Sequence, residues 1–296
     1  MPQPPEVLRE THFSNARLNP IGVELMTLSE LRARVAARLF LEPERIDFFL
    51  VLVATEGCGE HLVDFERLRL NLGQVIFVRP GQVQQWQPTH GFEADVLLID
   101  PAVVQPTGLA SQAGAMALLR VEDWPAHFEM DLDGLAAWKP LAAMLRRELA
   151  QPLLDQLSAA MARELLMCLL LSLSRSATGN TADPTAQTAL VRRMRQELEN
   201  LVYSRPSVAL LARRLRISAS TLTRTCNAVL GHSAKEEVDR RVTLEAQRLL
   251  VHSTSTSVEI GEALGFSEPT NFVKFFRRLV GATPEVFRQA HRLPQS

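Results

Sequence analysis

The chain has 296 residues, room for about two domains at roughly 150 residues each. With 46% hydrophobic and 22% charged residues it can bury a large core, and its three cysteines (Cys58, Cys168, Cys226), none closely paired, exclude a disulfide scaffold or a structural zinc site. The net charge of −1 conceals an asymmetry: Met1 to Asp183 carries 15 Lys/Arg against 23 Asp/Glu (−8), and Pro184 to Ser296 carries 17 against 10 (+7), so the second half is suited to meet a polyanion.

In chain order, Met1-Pro2-Gln3-Pro4-Pro5-Glu6 lacks the charged and apolar regions of a signal peptide, and the greasiest run, Leu165 to Leu171, is too short to span a bilayer. A cytoplasmic protein without a membrane partner is expected. The first hundred residues read as strands. Phe48 to Ala54 is a continuous apolar run, and Glu56-Gly57-Cys58-Gly59 is a turn signal. Residues Leu62 to Arg67 alternate imperfectly, and Leu68, Leu70 and Leu72 alternate cleanly. Val75 to Val78, Val83 to Trp86 and Val96 to Ile99 follow, separated by Pro80-Gly81 and by Pro88 to Gly91. Short strands at this spacing predict a sandwich or barrel.

After Pro101 the period becomes helical. Leu135 to Leu149 predicts an amphipathic helix. Leu153 to Leu173 predicts a second, with Leu157, Met161, Leu165, Cys168 and Leu169 on one stripe that Leu166, Leu170, Leu171 and Leu173 widen. So broad an apolar surface must be covered on two sides, either inside its own domain or by the barrel and a second subunit. Ser174 to Pro184 is linker-like and coincides with the charge shift. The expected domains are 1–177, a linker 178–184 and a helical domain 185–296 containing one long helix, Ala234 to His252.

The basic half repeats itself. Leu211, Ala212, Leu215, Ile217 and Ser218 match Ile260, Gly261, Leu264, Phe266 and Ser267 at an offset of 49; Leu222, Arg224, Cys226 and Gly231 match Phe272, Lys274, Phe276 and Gly281 at an offset of 50. Each copy reads as a short helix, a turn, and a second helix whose start is marked by a Ser: a helix-turn-helix twice over. With Leu222 and Cys226 turned inward, Ser220, Thr223 and Arg224 are left for DNA. With Phe272 and Phe276 inward, Thr270, Asn271, Lys274 and Arg277 are left in the second copy. An ordinary helical bundle with solvated faces is the plainer reading; the duplication and the +7 balance weigh against it.

Several blocks resemble the AraC/XylS transcriptional regulators: Arg241-Val242-Thr243-Leu244-Glu245-Ala246-Gln247-Arg248-Leu249-Leu250, Gly265-Phe266-Ser267-Glu268-Pro269-Thr270-Asn271-Phe272, Lys274-Phe275-Phe276-Arg277-Arg278 and Gly281-Ala282-Thr283-Pro284-Glu285-Val286-Phe287-Arg288. The likeness covers about the last third of the chain. It implies a single-chain reader of adjacent major-groove segments, with RNA polymerase as a partner and activator as the family's role; the residues themselves do not separate activation from repression. Cys226 departs from the family's Phe, and Pro269 and Val273 stand where polar residues are common. Arg45-Ile46-Asp47-Phe48-Phe49, Gly59 to Phe65 and Phe77-Val78-Arg79-Pro80-Gly81-Gln82-Val83-Gln84-Gln85-Trp86 resemble the cupin-type sensor domain that often precedes this module. That likeness implies a small-molecule effector and helices that form a homodimer.

The expected fold is therefore α+β: a cupin-like β-barrel with packed helices, then an all-α domain with two helix-turn-helix units. Glu44, Ile46 and Gln84 occupy the places of a catalytic cupin's metal ligands, and the seven histidines do not cluster in sequence, so neither metal nor cofactor is expected. His61, Arg79 and Trp86 are the candidate effector-binding residues, weighed against His61 as an ordinary surface or satisfied strand residue and Trp86 as a core plug. The expected function is a sequence-specific, DNA-binding regulator and not an enzyme. The alternatives are a cupin-type enzyme with an incidental helical tail, an effector-independent regulator, and an adaptor that uses its helices for protein contacts.

Overall fold

The computed structural model describes residues 9–13, 15, 18, 21–36, 42–87, 90–104, 119, 121–151, 155–178 and 186–291. The described residues divide into two compact units, the first within 9–178 and the second 186–291.

Among the described residues of the first unit ten strands form two sheets: β1 (Arg9–Thr11), β2 (Val23–Thr27), β3 (Glu44–Ile46), β4 (Phe49–Glu56), β5 (Cys58–Val63), β6 (Glu66–Asn71), β7 (Gln74–Val78), β8 (Val83–Trp86), β9 (Glu93–Ile99) and β10 (His127–Glu129). One sheet has the order β1-β3-β8-β5-β6 and the other β10-β7-β4-β9-β2. Ile46, Val63, Leu68, Leu70 and Trp86 of the first sheet share a core with Leu50, Leu52, Ile76, Val78 and Val96 of the second, as a cupin-like barrel requires. β4 lies between β7 and β9, with Leu50, Leu52 and Ala54 in that core and Val51 and Val53 on the opposite face. Burial on both faces is why its sequence is continuously apolar rather than alternating.

Two expected turns move. The chain leaves one sheet for the other at Gly57 alone, in the left-handed region (φ 67), and Cys58 already opens β5. The expected alternation from Leu62 to Arg67 runs across a hairpin: Asp64 has φ 53, and its carboxylate accepts from Gln82 Nε2 (2.9 Å) and Val83 N (3.2 Å). Asp tolerates this conformation because its short side chain satisfies nearby N–H groups.

The first unit also contains α1 (Leu28–Arg34), α2 (Pro101–Val104), α3 (Leu132–Leu149) and α4 (Gln156–Thr178). α3 begins three residues before the expected start because Asp131 caps it, accepting from Gly134 N at 2.7 Å. Its first turn is exposed, so apolar periodicity does not mark it. α4 continues through Ser174–Thr178, which the sequence assigned to the linker: Ser174 Oγ donates to Leu119 O (2.7 Å) and Thr178 Oγ1 to Ser174 O (2.7 Å), giving these polar side chains partners without unwinding the helix. Leu153 and the expected linker from residue 179 to 184 lie outside the described residues.

α4 packs along α3, burying Ala162, Leu165, Leu166, Leu169, Leu170 and Leu173 in the core that covers the outer face of the second sheet. By length and composition α4 could cross a membrane, but one face is committed to this core and the other carries Arg163, Glu164 and Arg175. Trp138 Nε1 (2.7 Å) and the Arg146 guanidinium both donate to the buried Asp95 carboxylate of β9, tying α3 to the sheet.

The second unit is helical: α5 (Ala186–Leu201), α6 (Val208–Arg214), α7 (Ala219–Leu230), α8 (Ala234–His252), α9 (Ser257–Ala263), α10 (Pro269–Val280) and α11 (Pro284–His291). α8 is bounded where the sequence placed it, with a capping box of Ser233 and Glu236 at its start. Its Glu245 is fully buried and accepts from Tyr203 Oη (2.6 Å), Arg241 Nη1 (3.1 Å) and Arg248 Nη1 (3.2 Å). Arg241 in turn holds Glu199 of α5 through two bonds of 2.7 Å. Arg278 of α10 donates to Asp239 of α8 (3.1 Å), so α8 is braced against helices on both sides.

Candidate nucleic-acid interface

The two helix-turn-helix units superpose in their hydrogen bonding. α6 is capped by Ser207 (Oγ accepting from Leu210 N, 3.1 Å) and α9 by Thr256, 49 residues later (Oγ1 accepting from Glu259 N, 3.2 Å). In the turns, Leu215 N donates to Leu211 O (2.9 Å) and Ile217 N to Ala212 O (3.0 Å); their counterparts are Leu264 N to Ile260 O (3.0 Å) and Phe266 N to Gly261 O (2.9 Å). α7 and α10 both end on a left-handed glycine, Gly231 and Gly281. Size is exchanged between equivalent positions: Ala212 goes with Leu222, whereas Gly261 goes with Phe272, whose Cβ would stand 3.0 Å from any Cβ added at the glycine.

One expectation about the repeat is corrected. Ser218 does cap α7, accepting from Thr221 N at 3.1 Å, but Ser267 does not cap α10. The extra residue of the second copy moves the cap to Glu268, which makes no side-chain cap bond. Pro269 at the first turn has no N–H to satisfy, so that helix starts without one of its orphan donors.

Leu222, Cys226, Phe272 and Phe276 are fully buried, leaving the intended faces outward. On α7, Arg224 is exposed, Thr223 is half-buried and Ser220 is exposed with its hydroxyl 2.9 Å from that of Ser218. On α10, Thr270, Asn271, Lys274 and Arg277 are all exposed, Val273 is half-buried beside them and Pro269 is exposed. Cys226 meets Met194 of α5 at 3.5 Å between sulfurs, so a flexible thioether packs against the small thiol.

The candidate effector residues separate. His61 on β5 pairs in register with Trp86 on β8; both point into the barrel, with ring centroids 4.7 Å apart. His61 is neither on the surface nor satisfied: it is 1% exposed, both ring nitrogens lack a hydrogen-bond partner among the described residues, and burial pulls its pKa down to about 3. Arg79 lies elsewhere, its guanidinium 4.8 Å from the Phe77 ring centroid and donating to Trp124 O, in the core beneath α3 and α4. What joins His61 instead is Gln84, buried on β8 with Oε1 unpartnered among the described residues, while its Nε2 donates to Glu44. Glu44 also accepts from Thr11 Oγ1 at 2.5 Å. Sequence reasoning noticed Glu44 and Gln84 only as replaced metal ligands; their parity with Ile46 and Trp86 was the signal that they face inward. Among the described residues no three His, Cys, Asp or Glu converge on a metal-sized space.

A family model described as an AraC-like ligand binding domain matches residues 29–190, and one described as a helix-turn-helix domain matches residues 211–290. The HTH-type transcriptional activator RhaS of Escherichia fergusonii is 25% identical over 246 residues, 82% of this chain and 86% of that protein. A transcriptional regulator with an AraC-type DNA-binding domain from Chromobacterium violaceum is 21% identical, with a TM-score of 0.35 over 38% of this chain and 100% of that one. ToxT from Vibrio cholerae is 8% identical, with a TM-score of 0.43 over 91% of this chain and 97% of that one.

Proposed function

The chain belongs to the AraC family of DNA-binding transcriptional regulators, and from that premise we propose how its parts divide the work. Residues 185–296 read one operator through two recognition helices, α7 and α10. Residues 1–177 bind an effector and pair two subunits, and residues 178–184 link the two. The observation that carries the reading is the duplicated unit, in which equivalent turns and buried residues leave polar and cationic side chains outward on both second helices.

Within the interface Arg224 is assigned a bidentate contact to guanine, with Ser220 and Thr223 beside it, because a guanidinium matches the O6 and N7 acceptors of that base. Thr270, Asn271 and Lys274 read the second segment, and Arg277 holds phosphate. The buried His61, Gln84 and Trp86 form the wall on which an effector is recognised. The exposed side of α4 supports a homodimer: Leu157 is 77% exposed and Met161 44%, with Cys168 further along the same face, apolar side chains set among the charged Glu164 and Arg175. Family membership and the likeness to RhaS support a cytoplasmic activator that works with RNA polymerase rather than an enzyme.

Sequencing the duplexes that the full chain enriches from a random pool tests the assignment. Two conserved segments about one helical turn apart are expected in each bound site. Enrichment of nothing beyond the starting pool refutes sequence reading.

A further inference from the structure

Arg216 occupies the turn between α6 and α7 with φ 58, in the left-handed region. Its counterpart in the second unit is Gly265, φ 79, and the backbone bonds coincide: Arg216 N donates to Arg213 O (3.1 Å), Gly265 N to Glu262 O (3.0 Å). Glycine takes this conformation freely, whereas an L side chain brings Cβ too close to the following carbonyl oxygen. The two turns also differ in room. A Cβ at Gly265 would stand 3.1 Å from the carbonyl carbon of Ser204, while Arg216 carries its long side chain into solvent.

Among the described residues no side-chain contact offsets that strain. The Arg216 side chain makes no hydrogen bond, ion pair or ring contact with any of them, unlike Arg214 two residues earlier, which pairs with Glu197 at 3.2 Å. Arg216 stands three residues before Ala219, the first residue of α7, and the start of a recognition helix is the part that enters the groove, between the two phosphate backbones. An unpaired guanidinium there, on a backbone that would relax as glycine, is placed for a ligand outside the chain.

We infer that Arg216 is a phosphate-contacting residue that anchors the first recognition helix, and that the strained turn is kept for this contact. The second unit, with no side chain at Gly265, is anchored from α10 instead. The inference rests on the DNA-binding reading of this unit but goes beyond it, since Arg216 lies outside both recognition helices.

The experiment compares the full chain with R216G and R216K on two probes: a random-sequence duplex and the duplex enriched by the wild-type chain. R216G should raise the unfolding midpoint of the helical unit, followed by far-UV circular dichroism. It should also weaken both duplexes about three- to tenfold and make the dependence of log affinity on log salt shallower by about 0.9, one phosphate contact. R216K, which keeps the charge, should retain the wild-type salt slope. The inference is overturned if R216G binds both duplexes as tightly and as steeply as wild type, or loses affinity only for the enriched one, which marks a base contact. A lower unfolding midpoint also overturns it, because the arginine then serves the fold. A wild-type chain that binds neither duplex at low salt removes the DNA-binding reading as well, and only that outcome does so.

Discussion

Replacing His61 with Phe should remove a specific part of the acid sensitivity of the first unit. The folded-state pKa is pulled from 6.5 down to about 3 by burial, so between these values the unfolded chain binds a proton that the folded chain refuses. Stability contributed by the neutral imidazole is present in full above about pH 6.5 and is lost as pH falls towards 3. Integrating a single site from pH 7 to pH 5 gives a loss of about 2 kcal/mol in the wild-type chain, at about 1.4 kcal/mol per unit of pH once the unfolded histidine is protonated. The assay is urea unfolding at both pH values, followed by tryptophan fluorescence. All three tryptophans, Trp86, Trp124 and Trp138, lie in the first unit, so this signal is blind to the helical one. His61→Phe should lose about 2 kcal/mol less than wild type over that interval. At pH 7 it should also be more stable by about 1–3 kcal/mol, since the ring no longer buries polar atoms without partners. Equal losses in the two proteins would refute the reasoning and mean that His61 is hydrated or paired in solution.

Three further outcomes follow from other parts of the molecule. Glu245→Leu leaves Arg248, 3% exposed, without its buried carboxylate and should destabilise the helical unit by about 3–5 kcal/mol, measured by denaturation followed in the far ultraviolet; a loss under about 1 kcal/mol would show that the arginines re-pair at no cost. Arg224→Ala should relax base preference at one position of the selected site, by about 1–3 kcal/mol of discrimination, whereas Arg277→Ala should weaken all sequences about equally; the same change in the selected motif for both variants contradicts the division. Met161→Glu, on the exposed stripe of α4, should give a folded monomer by sedimentation, and an unchanged mass distribution, whether dimer or monomer, removes that face as the interface.

The sequence made the second unit legible because its signals are local and occur twice. A register of 49 and then 50 residues located both turns, and the inward Leu222, Cys226, Phe272 and Phe276 showed which faces remained outward. It misled at Ser267 because a single inserted residue shifts a cap without changing composition. In the barrel the difficulty was long-range. Whether Gly59, His61 and Val63 or their neighbours face inward is settled by pairing with β8, and a turn at Asp64 breaks the periodicity that would have shown it. Arg79 is the last case: it follows the final residue of β7, and Trp124, 45 residues away in sequence, draws its guanidinium to the outer core.

The bracing of α8 has a consequence for the operator. This helix, about 28 Å long at 1.5 Å per residue, is clamped to α5 through Arg241 and Glu199, to Tyr203 through Glu245 and to α10 through Asp239 and Arg278. With Met194 of α5 against Cys226 of α7, this packing ties both recognition helices to one braced helix. Adding one base pair between the two segments of a site rotates the far one by about 34° and moves it by about 3.4 Å. A jointed reader would follow that displacement; this one must release one segment to keep the other. Each site should therefore behave as an indivisible word whose internal spacing is as strictly specified as its letters, and any tolerance for variable spacing has to lie between separate sites.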